Sequence, residues 1–298
     1  MNLIAHSPKR LFTFGCSFTN YAWSMWPEII AHDLEIPLYN FGQTGGGNQY
    51  IANTVAQANA RYKFSKDDLI IVCWTNVCRE DRWKNGEWIL PGNIFTQDIY
   101  NQKWINKWAD PLGYLVRDLG SIHLVHEILS KSKCQYHFLS MLNITSDIDQ
   151  WSSGSANFDH LTKLNPNTGQ ETKITDELFE IYQTDIEKIN KSFYEVLWNN
   201  NIQLKISQEE KRFNGLFVDG HPWPDENLAY LKSIFSDHKF KLTTEQKVSD
   251  VNSLIIQEIK NITSSKNKRY DIWRLPEDIF NKIYEDFRIK KSEYTNLI

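Results

Sequence analysis

The sequence predicts an α/β fold: a five-stranded parallel sheet with crossover helices packed on it. Short apolar, β-branched or aromatic runs alternate with longer amphipathic segments through the first 240 residues, the pattern of parallel strands joined by helices. Two polar, turn-rich inserts, at about 79–111 and 143–175, interrupt the alternation. Each follows a predicted strand, and in an open parallel sheet such loops gather at the carboxyl edge, where ligands bind.

Strands are expected at about residues 10–14, 37–41, 68–74, 134–142 and 202–206. The first is the run Leu11-Phe12-Thr13-Phe14, closed by Gly15. Helices are expected at about 24–33, 48–62, 114–130, 176–199 and 224–235. In the third of these, Leu115, Leu119, Ile122, Val125, Ile128 and Leu129 recur at helical spacing. Pro224 opens the last one, at a position where a missing N–H is tolerated. After Phe240 the character changes. Val248, Val251, Ile255, Ile259 and Ile262 form one helical stripe, and Ile279, Ile283 and Phe287 form another. Residues 241–298 are therefore expected as a helical extension that either packs on the 1–240 domain or mediates homo-oligomer contacts.

A chain of 298 residues with 41% apolar content can bury a sizeable core. Its formal charge of -4 leaves no basic field for neutralising phosphates, which argues against a nucleic-acid partner. The first ten residues lack an apolar run of signal-peptide length, and no later stretch approaches the roughly 20 residues of a membrane span. A cytoplasmic protein without a membrane partner is expected. Cys16, Cys73, Cys78 and Cys134 read as buried thiols. The spacing of Cys73 and Cys78, with no second pair, does not suit zinc, and His123, His126 and Glu127 match no zincin order.

The chemistry-bearing segments follow the strands. Gly15-Cys16-Ser17 closes the first. Glycine tolerates the backbone of a sharp turn, so Ser17 reads either as a nucleophile lifted off the sheet or as a helix N-cap. After the second strand comes Asn40-Phe41-Gly42-Gln43-Thr44-Gly45-Gly46-Gly47-Asn48. Its glycines free backbone N–H groups to face an anion or a developing oxyanion, and it lacks the Gly-Lys-Ser/Thr of a P-loop. Thr75-Asn76 after the third strand offers an amide donor, and Asp219-Gly220-His221-Pro222 offers a base beside a carboxylate.

In this order, these four segments resemble the sequence blocks of the SGNH, or GDSL-type, serine hydrolase superfamily, over about residues 10–238. The resemblance implies a flavodoxin-like three-layer α/β/α sandwich. It makes Ser17 the nucleophile, with Cys16 where the family usually has Asp. Gly45 and Asn76 become oxyanion donors, and His221 the base. Trp74 and Val77 flank Asn76 where the family has Gly and Asp. Asp219 precedes His221 by two residues where the family has three, so it either orients the base or simply forms a turn, leaving a Ser-His dyad.

The activity implied is that of a serine esterase working through an acyl-enzyme, without metal or organic cofactor. Trp83, Trp88, Trp104 and Trp108 cluster in the first insert, where they either stack on a sugar or form a small loop core. A small acyl group, preferably acetyl, on a carbohydrate is the expected substrate, with Arg79, Trp74, Trp83 and Trp223 as binding residues. The same site also admits an O-acyltransferase, and the same fold a catalytically inactive glycan-binding or assembly protein.

Overall fold

The structure, a computed structural model, describes residues 1–95, 100–145, 162–164, 171–266, 275, 277–286 and 288–290. Its centre is a four-stranded parallel sheet made of β1 (Arg10–Phe14), β2 (Leu38–Asn40), β3 (Asp68–Trp74) and β6 (Gln135–Ser140), in the order β2-β1-β3-β6. The helices between them are α1 (Trp26–Leu34), α2 (Asn48–Tyr62) and α4 (Pro111–Ser132). The first insert holds the hairpin β4 (Arg82–Lys84) and β5 (Glu87–Ile89), then α3 (Gln102–Trp108). Asn85 and Gly86 turn that hairpin with positive φ at both positions, as a two-residue loop of this kind requires.

Alternation along the strands decides the layers. Leu11, Leu69, Ile71, Cys73 and Leu139 join one core with Ile29 and Ile30 of α1. Phe12, Phe14, Ile70, Val72, Trp74 and Phe138 join the other with Val55 of α2 and Leu119 and Val125 of α4. All seven residues of β3 are buried, as a central parallel strand covered on both faces must be. The four cysteines are buried free thiols.

Beyond β6 the chain departs from the expected pattern. A short hairpin, β7 (Thr162–Leu164) with β8 (Glu171–Lys173), leads into α5 (Ile174–Ile181) and α6 (Gln183–Ile186), followed by α7 (Phe193–Trp198). The single helix expected at 176–199 is thus broken. The break follows from Ser192, whose hydroxyl accepts from Glu195 N while its own N–H donates to the Glu195 carboxylate, a capping box that starts a new helix. Between α6 and α7 the chain runs along β6, where Ile189 bridges Phe138 and Asn190 N donates to Phe138 O.

The fifth strand expected at 202–206 is instead helix α8 (Ile202–Arg212). Asn201 caps it through Gln203 N. Its inward positions are Lys205 and Glu209, a buried ion pair one helical turn apart, so a search for apolar periodicity misses the helix. Helix α9 (Pro224–Ile234) follows, then α10 (Leu242–Lys266) and α11 (Glu277–Asp286). Val248, Val251, Ile255 and Ile259 of α10 are buried in the same core as α1 and α9, so this stripe is consumed inside the chain. No helix of the described residues is long and apolar enough to cross a membrane.

Candidate active site

The turn after β1 is a tight one, with Thr19 N and Asn20 N both donating to Cys16 O. Helix α1 begins only at Trp26, so Ser17 caps no helix. Gly15 is required for space: an added Cβ would sit 2.0 Å from Thr19 Oγ1 and 3.0 Å from the Cys73 carbonyl oxygen. The loops after β1 and β2 are then tied together. Gln43 N donates to Gly15 O, Asn20 Nδ2 to Gly42 O and Asn40 Nδ2 to Thr19 O.

Ser17 Oγ lies 2.8 Å from His221 Nε2, across 204 residues of sequence. On the other side of the ring, His221 Nδ1 lies 2.8 Å from Asp219 Oδ1. A carboxylate only accepts, so Nδ1 carries the ring proton and Nε2 is left to accept from the Ser17 hydroxyl. That is the arrangement a hydroxyl nucleophile needs to lose its proton to imidazole. Asp219 also accepts from the backbone N–H of His221 at 2.8 Å, so the two-residue spacing forms a local side-chain turn that carries the imidazole with it.

The loop bearing His221 is fixed from behind. The Pro222 carbonyl accepts from Trp23 Nε1 and from Asn227 Nδ2. Trp223 stacks on Trp23 with ring centroids 4.3 Å apart, and its indole N–H donates to Glu209. Lys205, wholly buried, binds both Glu209 and Glu226 and lies over the Trp198 and Trp223 rings. Burial pushes the Glu209 carboxyl up, and the Lys205 ammonium opposes that.

No motif in the sequence marks Tyr21. Its ring stacks on His221 at 3.6 Å between centroids, and its hydroxyl donates to Asp219 Oδ2 at 2.8 Å. Each Asp219 oxygen thus has a donor. Only position in the chain hints at Tyr21, since it lies four residues after Ser17 in the same loop.

Gly45 has φ +81 and faces the first insert so closely that an added Cβ would lie 2.2 Å from the Leu90 carbonyl oxygen. Asp81 accepts from Gly47 N and Tyr50 N, capping the start of α2 from the loop after β3. Burial pushes its carboxyl up, and those two N–H donors with Arg117 and Arg79 pull it back. Asn76 is buried, and its Oδ1 accepts from Arg79 Nε and Thr75 Oγ1.

The expected substrate residues divide. Trp74 and Trp223 are wholly buried core side chains, so neither presents a face to a ligand; the sequence does not distinguish an aromatic at a strand end from one under it. Arg79 is buried too, with Nε on Asn76 and Nη1 on Gly46 O. Trp83 is 47% exposed and meets Trp88 edge to face, while Trp88 packs on Tyr50 and Trp104 stacks on Tyr100. The insert is therefore a small aromatic cluster with an open side. The second insert lies largely outside the described residues.

His123 and His126 both bond Asp185, tying α6 to α4. Among the described residues, no group of three or more His, Cys, Asp or Glu side chains is placed to hold a metal ion. No protein-family model matches this chain, and no curated protein matches it.

Proposed function

We propose that this chain is a serine esterase of the SGNH type, built on that superfamily's α/β/α sandwich, which transfers a small acyl group from an ester through Ser17 to water. The observation that carries the reading is the continuous Ser17–His221–Asp219 relay, with both links at 2.8 Å. In this reading His221 Nε2 takes the Ser17 proton as Oγ attacks the ester carbonyl, and Asp219 holds the resulting imidazolium. The Ser17 and Gly45 N–H groups and Asn76 Nδ2 receive the oxyanion. His221 then returns the proton to the leaving alcohol, and a water activated by the same ring releases the acid.

A carbohydrate O-acetyl ester is the proposed substrate. Its support is the exposed Trp83, an aromatic face able to stack on a sugar, on the same insert as Leu90, whose carbonyl closely approaches Gly45.

A fluorophosphonate probe tests the nucleophile: labelling that disappears in Ser17→Ala and His221→Ala is expected, and a folded wild type that does not label would leave an inactive binding protein as the better reading. Incubation with an acetyl ester and a sugar acceptor separates the hydrolase from an acyltransferase. Free acetate independent of acceptor is expected, whereas acetylated sugar with little acetate would overturn the hydrolase.

A further inference from the structure

We propose that Arg79 is the positioning residue of the oxyanion site, one buried guanidinium that holds both loops supplying its donors. This rests on the reading of Ser17 as nucleophile. Arg79 is 8% exposed. Its Nε donates to Asn76 Oδ1 at 2.5 Å and its Nη1 to Gly46 O at 2.8 Å. Among the described residues Nη2 meets only Met141 Sδ, at 4.0 Å, a weak acceptor. Among the described residues no carboxylate pairs with this guanidinium.

The bond to Asn76 decides which way its amide points. With Oδ1 turned to Arg79 and to Thr75 Oγ1, Nδ2 faces the opposite side and is the end left to donate. The flipped amide would set its NH2 against the guanidinium N–H, two donors face to face. The bond to Gly46 O fixes the Gly46–Gly47 peptide, one residue beyond the left-handed Gly45, from the side opposite Asp81, which holds the N–H of the same peptide. An oxyanion donor helps only when it is aimed before charge develops. Two donors on separate loops aimed by one cation would be lost together.

The Arg79 backbone is held separately. Its carbonyl accepts from Arg117 Nη2, and it bridges Asn93. The side chain can therefore be changed without releasing the loop.

The test compares Arg79→Met and Arg79→Lys with wild type on p-nitrophenyl acetate, an uncharged ester. Removing one oxyanion donor costs about 100- to 1000-fold in kcat, and Asn76→Ala is expected in that range. Arg79→Met is expected to lose at least that factor in kcat with KM nearly unchanged, and Arg79→Lys to recover part of it. The Arg79→Met, Asn76→Ala double variant is expected to fall no further than the worse single one. In protein labelled with 15N-asparagine, the Asn76 side-chain amide signal, assigned by its loss in Asn76→Ala, is expected to shift in Arg79→Met and Arg79→Lys. Multiplicative losses in the double variant, an unmoved amide signal, or a KM increase confined to anionic esters would overturn the proposal. Should the wild type neither label nor hydrolyse ester, the esterase reading fails, and a shifted amide signal would still establish the clamp.

Discussion

Asp219 Oδ1 accepts two hydrogen bonds from His221, one from the backbone N–H and one from ring Nδ1, each at 2.8 Å. The side-chain turn and the contact with the imidazole are therefore one geometry. A spacing of two residues closes the side-chain turn onto the N–H of residue i+2 and leaves the imidazole of the same residue over the carboxylate. Inserting one glycine between Asp219 and Gly220 would restore the three-residue spacing of the resembled family while breaking the turn. Activity of that insertion variant is expected to fall to the level of Asp219→Ala, about 10,000-fold below wild type, as for loss of the orienting group in a Ser-His-Asp site. Full activity of the insertion variant, measured as kcat/KM on an acetyl ester, would show that the turn is dispensable.

Tyr21 serves the same carboxylate from the opposite side. Removing its hydroxyl in Tyr21→Phe leaves the stacked ring but takes the donor from Asp219 Oδ2. A hydrogen bond to a charged group is worth about 1.5–3 kcal/mol. A fall of about 10- to 100-fold in kcat is expected, together with a loss of folding stability of up to that size. Tyr21→Ala, which also uncovers the imidazole, should fall further, and equal rates for the two variants would deny the hydroxyl a role.

What was legible in the sequence follows a physical rule. The core strands and helix α2 could be read because their buried faces are apolar, and β1, β3 and α2 fall at the residues expected for them. Ser17 is marked by a strand end and Gly15, and Asp219 and His221 by the Gly220 and Pro222 beside them, although the strand expected before that loop is helix α8. Helix α8 reads as a strand over 202–206 because charge fills its buried face at Lys205 and Glu209. Trp74 and Trp223 read as binding residues but are wholly buried, because tryptophan reads alike in a core and in a binding wall. The contacts of Tyr21 with Asp219, and of Arg288 with the Tyr21 loop, join residues 198 and 267 apart in sequence, which no local pattern announces.

Arg288 makes the C-terminal segment part of the site's support. Its guanidinium donates to the carbonyls of Tyr21 and Trp23 and to Glu28 Oε1, and Ile289 N donates to Ser24 Oγ. Glu28 is buried, which pushes its carboxyl up, while Arg288 and the Met25 N–H oppose that. Breaking a buried pair by removing one partner costs about 3–5 kcal/mol. Arg288→Ala is expected to lose stability on that scale in denaturant unfolding, and ester hydrolysis should drop through the loosened Tyr21 loop. The paired change Arg288→Met, Glu28→Gln removes the stranded charge and should regain most of the stability but not the rate. If it regains both, the Tyr21 loop does not depend on Arg288.

Asp118 predicts a pH dependence of stability. It is wholly buried on α4, bonded by Arg117 and by Asn48 Nδ2, and Asn48 in turn holds the Thr75 backbone through both its carbonyl and its N–H. Burial pushes the Asp118 carboxyl from 3.8 up to about 7, against the pull of Arg117 and Asn48. Between those values the folded chain holds a proton that the unfolded chain has released, so its contribution to stability is complete below about pH 4 and is lost as pH rises through about 7. The displacement corresponds to about 4 kcal/mol in all, at about 1.4 kcal/mol for each tenfold step. Asp118→Asn, neutral throughout, should remove that slope and be more stable than wild type above pH 7, relative to their difference at pH 4. Denaturant unfolding of both proteins from pH 4 to 8 decides it: parallel curves would mean that Arg117 keeps Asp118 ionised across the range.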